Sequence, residues 1–310
     1  LSSAASDVYK RQHVHIMPRR LLNGETSETG ATYDAFGRIH KPDGDVYAYM
    51  PCPVDGGAFS AEALIYMMDR YGIRRAMIMQ STFFDMTEDV AEAVARYPDR
   101  LSGAMTVRLD AGAPEAIAAW RRRGLTALKL QMRGLTEPQN DPELRMDAPE
   151  MMEIYAQAGR QNVTVVVDPG PIGWAGYQPE ALRRAVRRHA ATRFVVCHLG
   201  MPDAAMQTDA ALRDAWRQMT DLARCENVWF DVSAMPNLFA REEYPFPTAL
   251  SLVAGFLRQY GEEKAIWGSD APGALCDATY AQTLSMFERL RLGEAAMEKL
   301  FFRNAESAYL

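Results

Sequence analysis

Histidine is scarce in this chain, five in 310 residues, and two of the five form a His-x-His pair at His13 and His15. In an extended strand, residues two apart point to the same face, so both imidazoles share one face while Val14 takes the other. They then stand about 7 Å apart along the strand, close enough to share one metal ion. A third histidine, His198, ends the β-rich run RFVVCH, and Asp270 ends KAIWGSD before Ala-Pro-Gly turns the chain away. Imidazole and carboxylate are ligands that a divalent ion accepts, zinc first and manganese second in expectation. A carboxylate beside such an ion can also take a proton from an attacking water, and an imidazole can exchange one near neutral pH. Together these groups point to hydrolysis of a lactone or amide. Asp270 would be ligand and proton acceptor, and His198 would complete the metal site, steady the oxyanion or protonate the leaving group. The plainer readings are a capping or turn role for Asp270 and a hydrogen-bonded core position for His198.

What must position these groups is legible in the alternation of the chain. Short β-rich runs at 74–80, 101–107, 125–131, 163–168, 193–198, 227–233 and 264–270 alternate with amphipathic helical stretches at 87–97, 113–123, 149–161, 179–190, 209–223, 246–260 and 278–291. That is the pattern of repeated βα units with a parallel sheet. Seven units are counted, and the segment ending at His13–Val14–His15, followed by a helix at 61–71, supplies an eighth. The expected fold is a single-domain (β/α)₈ TIM barrel, with a long Gly-, Pro- and Tyr-rich loop at about 18–60 after the first strand. In such a barrel the C-terminal ends of the strands house the chemistry, which is where His13, His15, His198 and Asp270 all fall.

With 48% hydrophobic and 24% charged residues the chain can bury a large core. A net charge of −6 argues against nucleic-acid or anionic-membrane partners, since both need a basic face. The expected partner is a small-molecule substrate, with homo-oligomerisation left open. The four cysteines are scattered and form no CxxC pair, which suits a reducing cytoplasm. Cys197 precedes His198 on one predicted strand, so the two side chains are expected on opposite faces, Cys197 as a buried structural thiol. Residues 1–12 (LSSAASDVYKRQ) resemble translated sequencing-adapter sequence and are set apart from the barrel expected over 13–310.

The motifs HVHIMP, RYPDRLSG, VVCHLGMPD, NVWFDVSA, IWGSDAP and FFRNAESAYL, spread over nearly the full length, together resemble the amidohydrolase-related ("amidohydrolase 2") branch of the amidohydrolase superfamily. The resemblance implies a TIM barrel and a metal-dependent hydrolase or decarboxylase, near the aminocarboxymuconate-semialdehyde decarboxylases and 2-pyrone-4,6-dicarboxylate lactonases. Two positions depart from that pattern. Arg11 stands where the family's first strand usually has Asp, and Asp168 ends the fifth strand where metal-dependent members usually carry histidine. Asp168 can serve as an oxygen ligand, giving a His/His/Asp/Asp set, or cap the following PGPIG loop. The lactonase subgroup also lacks the fifth-strand histidine and is thought to work without metal, so a metal-free lactonase stays open. So does non-oxidative decarboxylation of an aromatic or muconate-type acid.

Further expectations concern the substrate. Lys129 on the fourth strand reads as a substrate-binding or salt-bridged lysine rather than a carbamylated bridge between two metals. Arg133 could clamp a carboxylate. Tyr47, Tyr49, Phe83, Phe84, Trp174 and Tyr177 make an aromatic rim suited to a ring-shaped acid or lactone, with Thr82 among them. His40 in the long loop can reach the pocket, and His189 at a helix C-terminus is explained by the helix dipole.

Overall fold

The computed structural model describes residues 13–50, 56–81, 83–132 and 144–309. The sequence-derived expectations for residues 1–12, Thr82 and Arg133 lie outside them. Eight parallel strands follow one another around the sheet: β1 (His13–Val14), β5 (Ala76–Ile78), β6 (Leu101–Met105), β7 (Ala127–Gln131), β8 (Thr164–Asp168), β9 (Phe194–Val196), β10 (Val228–Asp231) and β11 (Ala265–Ile266). The two edges of this sheet meet. His15 N donates to Ala271 O at 2.7 Å, and Asp270 N donates to His13 O at 3.0 Å. The eighth strand is regular over two residues only, because Trp267 N is drawn instead to Leu300 O (2.8 Å).

Helices α1 (Ala61–Arg70), α2 (Thr87–Arg96), α3 (Ala113–Arg122), α4 (Pro149–Arg160), α5 (Pro179–Arg188), α6 (Ala210–Thr220) and α7 (Pro247–Tyr260) cover the outside of the strands. Helix α5 shows why: Ala181, Leu182, Ala185 and Val186 form one buried stripe, while the arginines of PEALRRAVRR face away, and Pro179 opens the helix where its missing N–H costs nothing. No helix among the described residues is long and apolar enough to cross a membrane.

Two differences from the sequence reading matter for function. The segment between β1 and α1 is not an irregular loop. It carries an antiparallel three-stranded sheet, β2 (Thr32–Tyr33), β3 (Arg38–His40) and β4 (Val46–Ala48). The turn between β3 and β4 is Lys41–Pro–Asp–Gly–Asp45, closed by Lys41 N donating to Asp45 O at 2.9 Å. At the other end of the barrel, α8 (Asn304–Tyr309) forms the floor. Ala305, Ala308 and Tyr309 pack in one buried cluster with Met77, Ala127, Val166, Val195 and Ile266.

Candidate active site

Inward-facing positions alternate along each strand, and polar groups gather where the strands end. His13 and His15 are both buried and both point inward from β1, as their spacing requires. Their Nε2 atoms stand 3.3 Å apart, and Asp270 Oδ1 lies 3.1 Å from that of His15 and 3.4 Å from that of His13. Each imidazole has its other nitrogen committed. His15 Nδ1 donates to the carbonyl of Met79 (3.2 Å), and His13 Nδ1 donates to the carboxylate of Asp231 (3.0 Å). With those nitrogens spent, both Nε2 atoms face the same carboxylate oxygen, an arrangement that needs a proton or a cation at its centre. Burial pushes the His13 imidazole down, against Asp231. A cation satisfies all three donors, and this set fits one divalent ion.

Asp270 sits at φ 57°, left-handed backbone that a side chain rarely adopts, and the bond from its own N–H to His13 O holds it there. Burial would push its carboxyl up, but the contact with His15 and the imidazoles of His198 and His13 outweigh that and hold it well below the usual carboxylate range. It stays ionised.

His198 reaches the same place by a route that simple alternation does not foresee. Cys197 points into the barrel, buried with Met79, Val166 and Val195. The strand ends at Val196, and left-handed backbone at His198 (φ 54°) and Leu199 (φ 52°) swings the imidazole inward as well. The expectation of opposite faces is thereby corrected. The ring centroid of His198 lies 5.3 Å from that of His13. Burial pushes its imidazole down despite Asp270, Asp231 and Asp168 nearby.

Asp231, at the end of β10, is the group the sequence reading passed over. It is fully buried and accepts from His13 Nδ1, from His198 N (2.9 Å), and from both the N–H (3.2 Å) and the hydroxyl of Ser233. Burial would raise its carboxyl, but His13, His198 and Ser233 hold it far below the ordinary range. His13, Cys197 and Asp231 form a second group of close ligand atoms among the described residues. There, however, Lys129 Nζ already donates to Cys197 Sγ at 2.9 Å, and burial pushes the thiol up, so a lysine ammonium occupies the place of a cation. For Lys129 itself, burial lowers the ammonium, but the contact with Cys197 and the carboxylates of Asp168 and Asp231 outweigh it and raise it.

The cluster opens into a cavity of about 210 Å³. Tyr49, Lys129, Asp168 and Trp174 line it with His15, His198 and Asp270. So do Lys41 and Gln131, which the sequence reading did not single out, together with Tyr47 and Phe83, whose rings stand 6.2 Å apart. Asp168 belongs to neither of the close ligand groups found among the described residues, and its Oδ1 accepts from Gly170 N (3.0 Å), the capping alternative. Tyr177 turns its hydroxyl to Gly200 O (3.1 Å), and Phe84 packs against Tyr33. His40 is turned to Asp34 (2.8 Å), and His189 caps α5 against the ring of Tyr155.

Gly268 keeps two of these strands together. A Cβ there would meet His13 Cβ at 2.5 Å and Ser233 Cβ at 2.8 Å, both attached to rigid backbone. Gly268→Ala is expected to cost about 1–3 kcal/mol by overpacking. Thermal unfolding followed by circular dichroism checks this, and an unchanged melting temperature would show that the strands have room to separate.

The family model described as "Amidohydrolase" matches residues 12–310. The chain belongs to the amidohydrolase family. No curated protein matches it by sequence. Among solved structures, a Pseudomonas putida protein assigned as a 2-pyrone-4,6-dicarboxylic acid hydrolase is 18% identical with a TM-score of 0.71, covering 97% of each chain. The 5-carboxyvanillate decarboxylase of Sphingomonas paucimobilis is 13% identical with a TM-score of 0.66, over 98% of this chain and 99% of its own. A zinc-bound amidohydrolase from Burkholderia multivorans is 18% identical with a TM-score of 0.66, over 82% and 89%. At these identities the likeness establishes a shared TIM-barrel fold.

Proposed function

We propose that this amidohydrolase hydrolyses a small cyclic ester or amide with the help of one divalent cation, zinc first. The observation that carries the reading is the meeting of His13 Nε2, His15 Nε2 and Asp270 Oδ1, three lone-pair donors, beside the cavity that His15 and Asp270 line. A cation held there supplies Lewis acidity toward a carbonyl oxygen and toward water. Asp270 takes the proton of the attacking water, and His198 passes that proton on to the leaving ring oxygen or nitrogen as the ring bond breaks. Lys41, from the β3–β4 turn, and Trp174 meet the outer part of a ring-shaped substrate, and Tyr49 closes the wall beside His15 at a ring distance of 6.1 Å.

Non-oxidative decarboxylation is the rival within the same fold, and Asp168 argues against it. Decarboxylation requires the substrate's carboxylate to approach the ion, and a second carboxylate on the cavity wall repels that anion. Hydrolysis needs only a neutral carbonyl there. A panel of lactones and cyclic amides is therefore expected to give turnover before a panel of hydroxybenzoates and muconate semialdehydes does. Release of CO₂ from an aromatic acid with kcat/KM above about 10³ M⁻¹s⁻¹ would overturn the hydrolase reading, since that approaches the range of true substrates.

A further inference from the structure

We propose that Asp231 and Ser233 are positioning residues that fix His198 in one tautomer, with the proton on Nδ1, so that every proton it exchanges passes through Nε2. The inference rests on the proton-exchange role given to His198 above.

The direction of each hydrogen bond follows from the chemistry of the groups. Asp231 is fully buried, and its Oδ1 receives two backbone N–H groups, those of His198 and Ser233. Its Oδ2 receives the N–H of His13. A carboxyl surrounded by donors is ionised and can only accept. The hydroxyl hydrogen of Ser233 is therefore spent on Asp231 Oδ1. The same hydroxyl stands 2.8 Å from His198 Nδ1 and has only lone pairs left to offer, so Nδ1 must carry the hydrogen. A direct bond is out of reach, since His198 Nδ1 lies 3.8 Å from Asp231 Oδ1, and the hydroxyl bridges that gap. Nε2 is then the nitrogen left for the cavity that His198 lines. One carboxylate thus sets the tautomers of two imidazoles: that of His13 directly through Oδ2, and that of His198 through Ser233 and Oδ1. Both imidazoles present Nε2 to the site as a result.

Histidine-selective ¹⁵N NMR on the zinc-loaded protein at one fixed pH tests this without any need for turnover. With five histidines in the chain, the His198 signals are assigned by their loss in His198→Gln. The expected wild-type pattern for His198 is a protonated Nδ1 and an unprotonated Nε2. Ser233→Ala is expected to lose that fixed pattern, and Ser233→Thr, which keeps the hydroxyl, to retain it. With dihydrocoumarin as probe lactone, Ser233→Ala should lower kcat about 10–100-fold with KM and zinc content little changed, and Ser233→Thr should restore it. A wild-type His198 protonated on Nε2 overturns the proposal, even if Ser233→Ala does not fold. So does a folded Ser233→Ala that keeps the wild-type pattern. Absence of dihydrocoumarin turnover in the wild type would count against the lactonase reading and leave the tautomer result to stand by itself.

Discussion

Replacing Asp270 by Asn is expected to lower kcat toward a cyclic ester about 10²–10⁴-fold, the range that a positioned proton acceptor contributes. The substitution is close to isosteric, so the wall of the cavity keeps its shape and KM should move little. Two properties change. The amide cannot accept the proton of an attacking water. Its N–H₂ can also donate to the bare Nε2 of His15 or His13, which stand 3.1 and 3.4 Å from the present Oδ1, and so fill the place of a cation with a hydrogen bond. Zinc content by elemental analysis should therefore fall together with kcat, whereas a substrate analogue should still bind. A variant that keeps more than about a tenth of the wild-type kcat would place the proton acceptor elsewhere, with Asp168, which lines the same cavity, first in line.

How much of this site could be read beforehand depends on how local its determinants are. His13 and His15 needed only the period of two of a strand, and Asp270 and His198 only the rule that barrel chemistry lies at strand ends. Asp231 obeys both rules. It is a lone carboxylate in the apolar run NVWFDVS, two residues from Trp229 on the same face and at the strand's end, and that signal was available. Gln131 likewise shares a face with Lys129 and follows from alternation. The orientation of His198 was not available, because left-handed backbone after Val196 reverses the alternation, and what stabilises that backbone is Asp231, distant in sequence. Lys41 divides into two parts. The Lys-Pro-Asp-Gly-Asp turn between RIH and VYA is a hairpin signal in its own right, so the small sheet was legible. Its placement over the cavity is a tertiary contact that no local pattern encodes. The fifth-strand position stays the most informative departure. Asp168 lines the cavity, yet it stands apart from the close ligand groups, its Oδ1 engaged with Gly170 N.

Removing the imidazoles tests the metal reading at its root. Protein purified without chelator or added metal is expected to contain about one equivalent of zinc or manganese per chain, and His13→Ala/His15→Ala to contain none and to lose metal-dependent turnover altogether. The two positions differ in what else they support. His15 Nδ1 serves a single carbonyl, that of Met79, whereas His13 Nδ1 is the partner of Asp231 Oδ2 deep in the barrel. His13→Ala thus leaves a buried carboxylate short of a donor, a loss of about 1–3 kcal/mol or more for a charged group. His15→Ala avoids that cost and is the cleaner variant for reading metal content apart from stability. Its circular dichroism should match the wild type while its metal content falls. Wild-type protein that is fully active with no metal present would reverse the reading. Hydrolysis would then have to run on Asp270 and His198 alone, with His13 and His15 sharing a proton where the cation was assigned.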